Sequence, residues 1–329
     1  MKLVCALKDH VFTETEDTLG VVLYDAATTD NRGSVGGAVK YQILKDKLVP
    51  APRAWDLLSL ALAVTAADLA GHRGESPDGW TREFDLEVAT VDPGFWNTQA
   101  HLIDRLLGFL TTDKWRVRFI DGGLHPAPHK QPVRPNEDCV VLISGGLDSL
   151  VGYIDLVSSG RRPLGVSQIV KGDAENQRRF VQEIGSGLRH FQVNHNAQVP
   201  DSENPPSQRA RSFTFLAYGV LVASALDRYN AGHDVTLYVC ENGFISINPP
   251  LTGARLGSLS TRTTHPEFLS MVGDLLAAAD LRVRIENPYQ LRTKGEMLET
   301  CSDQGLLRAH ASRSVSCGRY KRYGSLRDP

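Results

Sequence analysis

The chain lacks the marks of the more specialised protein classes. Its five cysteines, Cys5, Cys139, Cys240, Cys301 and Cys317, are odd in number and scattered, with no CxxC pair, so they do not form a disulfide framework. No apolar run reaches the roughly 20 residues that span a bilayer. The most apolar stretch, 213–226, stops short of that length, and residues 1–7 are too brief a run for a secretory signal before Lys8-Asp9-His10. A soluble, cytoplasmic protein with no membrane partner is therefore expected. Neither sign of charge prevails: 36 basic side chains face 38 acidic ones, a net charge of −2. No nucleic-acid partner follows from that balance. What remains is an ordinary globular composition, and 329 residues favour two domains.

The informative stretch is Val140-Val141-Leu142-Ile143-Ser144-Gly145-Gly146-Leu147-Asp148-Ser149. A run of apolar and β-branched residues ends in Ser-Gly-Gly, and an apolar-periodic segment begins behind two good helix N-caps. The pattern predicts a buried parallel strand, a tight turn and a helix whose N-terminus faces that turn. Glycine permits close backbone approach, and free N–H groups with the helix dipole make an anion seat. Ser144 and Ser149 add hydroxyls, and Asp148 offers a hard carboxylate for Mg²⁺. It is not a Walker A loop, because no Gly-Lys-Ser/Thr follows. SGGLDS resembles the SGGxDS signature of the PP-loop ATP pyrophosphatases, in which it holds the pyrophosphate of ATP.

Residues 1–124 read as a smaller α+β domain. Strands are expected at 2–7, 19–24, 38–49, 84–91 and 116–120. A buried helix is expected at 52–72 and an amphipathic one at 96–112. The glycine cluster Gly33-Ser34-Val35-Gly36-Gly37 reads as a turn between strands, without a switch into a helix. Residues 125–137 carry Pro126, Pro128, Pro132 and Pro135 and read as a stiff linker, with His125 and His129 a solvated pair. Residues 138–305 alternate strand and helix, which predicts an α/β, Rossmann-like, doubly wound parallel sheet. Within it, 196–207 reads as a mobile flap and 209–229 as one long helix. Residues 306–329 form a basic tail, expected to be unanchored from Arg308 onward.

Ligands on such sheets bind beyond the carboxyl ends of the strands. That rule gathers SGGLDS, the segment Glu241-Asn242-Gly243, and the segment from Asn287 to Glu296, which contains Lys294; Arg209 and Arg211 open the helix after the flap. Carboxylates, a lysine and two arginines around a phosphate seat suit cleavage of a phosphoanhydride.

From Asp138 to Cys317 the chain resembles the QueC family, the 7-cyano-7-deazaguanine synthases. The resemblance rests on SGGLDS, the Arg-containing helix start at 209–216, VCEN at 239–242, THPEF at 264–268 and RTKGEM at 292–297. The biosynthetic enzyme lacks a counterpart of the first half; the two-domain arrangement resembles the QueC-like proteins of the Qat anti-phage system. The resemblance implies an adenylate-forming C–N ligase that uses ATP and Mg²⁺. In that reaction 7-carboxy-7-deazaguanine attacks the α-phosphate, and an amine then displaces AMP. In defence the acceptor would be an amine of a partner protein. Ser144, Gly145, Gly146, Leu147 and Ser149 would bind ATP, and Asp148 the metal. Lys294 and Arg211 would steady the phosphates, while Glu241, Asn242, Arg209 and His265 would read the substrate. QueC proteins also carry a C-terminal zinc site. Here Cys317 aligns with its first ligand, the remaining ligands do not follow, and Cys301 lies too far upstream to supply one, so no zinc is expected. Two other readings stand beside this one: a PP-loop amidating or thiolating enzyme with another substrate, and a non-catalytic nucleotide-binding scaffold.

Overall fold

A computed structural model describes residues 1–12, 15, 17–27, 29–127, 129–169, 174–202, 207–249 and 262–314. Among the described residues, short runs of β-branched and apolar residues form ten strands in two five-stranded sheets, and every strand pairing is parallel. The first sheet contains β1 (Lys2–Ala6), β2 (Thr18–Leu23), β3 (Gly33–Val35), β4 (Glu83–Thr90) and β5 (Lys114–Asp121), in the order β3-β2-β1-β4-β5. The second contains β6 (Cys139–Leu142), β7 (Pro163–Gln168), β8 (His190–Val193), β9 (Val235–Tyr238) and β10 (Val283–Glu286), in the order β10-β9-β6-β7-β8. Both wind alike: the first strand is central, the next two lie on one side of it and the last two on the other.

The helices of the first half are α1 (Gly37–Lys45), α2 (Pro52–Ala70), α3 (Pro93–Thr98) and α4 (Ala100–Thr111). Those of the second are α5 (Leu147–Ser158), α6 (Ala174–Ile184), α7 (Arg211–Ala223), α8 (Asp227–Asn230), α9 (Gly243–Ile247), α10 (Pro266–Ala278), α11 (Lys294–Glu299) and α12 (Gln304–His310). The Rossmann-like parallel sheet expected of the second half is present. The first half is a correction: it is α/β, not α+β. The strand expected at 38–49 is α1, whose buried Val39 and Ile43 lie one helical turn apart. The glycine cluster is therefore a strand-to-helix switch, with Gly36 at φ 88° between β3 and α1. The long helix expected at 209–229 ends at Ala223, and α8 follows. The flap is pinned over its first residues, where Ser34 and Gln198 exchange backbone hydrogen bonds of 2.8 and 2.9 Å. His125 is exposed as expected, but His129 is half-buried beside Pro50 and Trp55. The tail is structured through α12, which buries Leu307 and His310, and on to Arg313, 3.9 Å from Glu183; Cys317, Arg319, Lys321, Arg322 and Arg327 lie outside the described residues.

α2 holds the halves together. Of its 19 residues 16 are buried, as expected for a helix apolar around most of its surface. It lies between the first sheet and α7, where Thr65 Oγ1 and Thr214 Oγ1 meet at 2.6 Å. One hydrophobic cluster includes Leu3 and Leu86 of the first sheet and Val140 and Leu237 of the second. Polar residues of α2 serve as clamps. Asp56 accepts hydrogen bonds from the Val91 and Asp92 amides and from Trp96 Nε1. Asp68 binds Arg82 at 2.6 Å and accepts the Ala210 amide at 3.2 Å, and Arg82 also binds Asp113 at 2.7 Å. Among the described residues no helix is long and apolar enough to cross a membrane.

Candidate functional site

β6 is fully buried, and after Ile143 the chain must turn sharply to enter α5. Gly145 makes that turn at φ 88°, a conformation in which a side chain is strained. Gly146, and not Asp148 or Ser149 as the sequence suggested, is the N-cap of α5; it has no side chain to cap the helix, and Asp148 and Ser149 lie within the first turn. The hydroxyls brace the turn: Ser144 Oγ accepts the Gly146 amide at 3.2 Å and meets Ser149 Oγ at 3.1 Å, while Ser149 Oγ donates to the Gly146 carbonyl at 2.9 Å. Leu147 packs, partly buried, on the core beneath α5. Gln177 of α6 donates from Nε2 to the carbonyls of Ser144 and Gln168, each at 3.1 Å, and fixes the loop from outside. Gln177 sits on a helix rich in solvated polar residues, so nothing in the sequence marked it.

Close packing brings the ends of three strands to this loop. A Cβ on Gly152 would lie 2.2 Å from Cys240 Sγ, so α5 lies directly against the end of β9. Asp148 is buried, and its Oδ2 accepts the Asn242 backbone amide at 3.2 Å and Asn242 Nδ2 at 2.5 Å. Its Oδ1 lies 2.9 Å from Lys294 Nζ. Asn242 in turn caps α9 by accepting the Ile245 amide at 3.1 Å. Lys294 opens α11, whose start is set by a capping box in which Thr293 and Glu296 bond to each other's amides. Glu241 is half-buried, and burial together with the charge of Asp148 pushes its pKa up to about 8. Asn287 holds Glu241 in place, donating to its carbonyl at 2.8 Å and accepting its amide at 3.4 Å. Asp148, Glu241, Asn242 and Lys294 thus converge at the glycine loop from positions up to 146 residues apart.

The other candidates are placed elsewhere. Arg209 donates to the Thr111 carbonyl at 2.9 Å and Thr112 Oγ1 at 2.7 Å, with its guanidinium 4.9 Å from the Trp80 ring centre. His265 caps α10 by accepting the Glu267 amide, and its ring meets Phe109 edge-on at 5.1 Å. Both join the two halves and are not gathered at the loop. Arg211 lines a cavity of about 290 Å³ with Gln168, Asn194 and His195 and, from α2, Thr65 and Asp68. Burial and the charge of Arg211 push the His195 pKa down to about 4. Its Nδ1 accepts the Ala197 amide, so the neutral ring carries its proton on Nε2. Gln168 Oε1 is buried in the same region without a partner among the described residues. This polar recess adjoins the loop through Gln177 and was not visible in the sequence.

Among the described residues no group of three or more His, Cys, Asp or Glu side chains forms a metal-binding cluster. Asp148 and Glu241 side by side nevertheless suit a magnesium ion, which commonly rests on one or two carboxylates and completes its shell with phosphate oxygens and water.

No family model and no curated protein matches the chain. A solved structure of NMN synthetase from Francisella tularensis is similar over 59% of this chain and 88% of its own, at 13% identity and a TM-score of 0.22. A likeness at that level carries no argument about this chain.

Proposed function

We propose that the protein is an ATP-dependent, adenylate-forming enzyme of QueC type. The observation that carries this reading is the Asp148–Lys294 pair, 2.9 Å apart in the first turn of the helix that follows the glycine loop. A glycine turn at a helix N-terminus, braced by two serine hydroxyls and with an ammonium group beside it, suits a polyphosphate. The loop 144–149 binds the β- and γ-phosphates, and Lys294 neutralises charge as pyrophosphate departs. A carboxylate oxygen of the substrate attacks the α-phosphorus, the bond to the β-phosphate oxygen breaks, and an acyl adenylate remains. An amine then displaces AMP to form an amide. Asp148 and Glu241 would hold a magnesium ion, which would supply charge neutralisation for the triphosphate. Glu241, largely protonated at neutral pH without a ligand, ionises when a cation or cationic group arrives. Asn242 orients Asp148, and Arg211 with its recess lies on the other flank of the loop.

Resemblance to the QueC family makes 7-carboxy-7-deazaguanine the substrate to test, with a partner-protein amine in an anti-phage system as acceptor. ATP–pyrophosphate exchange with and without that acid is the decisive assay. Exchange that depends on the acid supports the reading. Exchange with a different carboxylate moves the substrate. No exchange, with nucleotide still bound, leaves a scaffold.

A further inference from the structure

An open sheet edge invites pairing with another chain, and folded proteins usually block it. The first sheet is blocked at both ends. Gln198 pairs with Ser34 of β3. At β5, Asp104 Oδ1 takes the Val117 amide at 2.9 Å, and Asn97 binds both the amide of Phe119 at 3.0 Å and its carbonyl at 2.9 Å. In the second sheet, β8 has α1 beside it. β10 differs. Its ladder to β9 runs through the carbonyls of Arg282 and Glu286, which accept the Val235 and Val239 amides, each at 2.9 Å. By the alternation of a parallel ladder, Ile285 turns both its N–H and its C=O away from β9. Among the described residues nothing bonds to them. An open groove of about 860 Å³ runs beside the strand, floored by Leu269, Val283 and Ile285. On the α10 side of the groove, Gly273 has nothing within 4 Å of where a Cβ would lie.

We propose that β10 is a self-association edge: two copies pair antiparallel, with Ile285 opposite Ile285 of the partner subunit. Two residues that turn their amide and carbonyl outward can exchange both hydrogen bonds in that register. The flanking residues make the edge self-complementary. Arg284 and Glu286 stand one residue either side of Ile285, both exposed and on the same face of the strand. In this register Arg284 faces Glu286 of the partner subunit at the closer cross-strand spacing, and symmetry repeats the contact. Among the described residues Arg284 has only a 3.6 Å contact with Asp234, and both side chains are more than half exposed, so that pair resists exchange weakly. Asp274 also borders the groove and opposes the contact, so the dimer should dissociate on dilution.

Sedimentation velocity of the full chain over a concentration series tests the proposal. The wild type should dimerise reversibly. Arg284→Glu and Glu286→Arg should each weaken the dimer about tenfold or more, because two symmetric attractive pairs become repulsive. An equimolar mixture of the two variants should recover association, since an acidic edge then meets a basic one. Both substitutions are at exposed positions, and far-ultraviolet circular dichroism checks that each variant folds. A wild type that stays monomeric throughout overturns the proposal and leaves the edge to a strand of another protein. A dimer indifferent to both reversals, or a mixture that fails to recover, overturns it equally.

Discussion

Replacing Lys294 by methionine separates a catalytic role from a structural one. At 2.9 Å the Lys294–Asp148 pair would attract by about 1.4 kcal/mol in water and about 5.7 kcal/mol at an effective dielectric of 20. The lysine side chain is 40% exposed, which puts the pair near the watery limit, where measured net contributions are about 0–1 kcal/mol. Asp148 keeps both Asn242 hydrogen bonds in the variant, so its carboxylate is not abandoned. The folding cost should therefore be about 1 kcal/mol or less, a melting shift of about two to four degrees at most. Catalysis should respond very differently. Removing one preorganised charge-stabilising group typically lowers turnover by about 100- to 1,000-fold. The assays are ATP–pyrophosphate exchange and thermal melting on the same preparation. Exchange within about threefold of wild type would show that Lys294 does not reach the reacting phosphates. Destabilisation of more than about 3 kcal/mol would show that the pair belongs to the fold.

Arg82→Ala should be among the most destabilising single changes, by about 3–5 kcal/mol, because it strands the buried carboxylates of Asp68 and Asp113; urea unfolding measures this, and a loss under 1 kcal/mol would contradict it. Gly145→Ala should cost about 1–2 kcal/mol through its left-handed backbone and should weaken ATP binding further, which calorimetric titration can detect; wild-type affinity would argue against the loop as the phosphate seat. Glu241 has a folded pKa near 8 against an ordinary 4.5, so between those values the folded state binds more protons than the unfolded one. Stability should therefore fall as pH rises through that window, and Glu241→Gln should flatten the slope of the denaturation midpoint; an unchanged slope would assign it to another group.

Much of the candidate site could be read before the fold was known, since strand, Ser-Gly-Gly turn and helix start lie within ten consecutive residues and depend on local backbone preference. Alternation of strand and helix likewise announced a parallel sheet, and the rule that ligands bind beyond strand ends picked out Glu241, Asn242 and Lys294. Other features depended on packing between distant segments. Val39 and Ile43 read as a strand by residue type, and burial along one helical face made them α1. Arg209 looks like a site arginine next to Arg211, yet Thr111, Thr112 and Trp80 of the first half claim its guanidinium. Whether a charged side chain serves a ligand or ties two halves together depends on which neighbour reaches it first. Local pattern specifies the loop; only the tertiary arrangement specifies its company, because burial and partner choice are set by contacts between residues far apart in the chain.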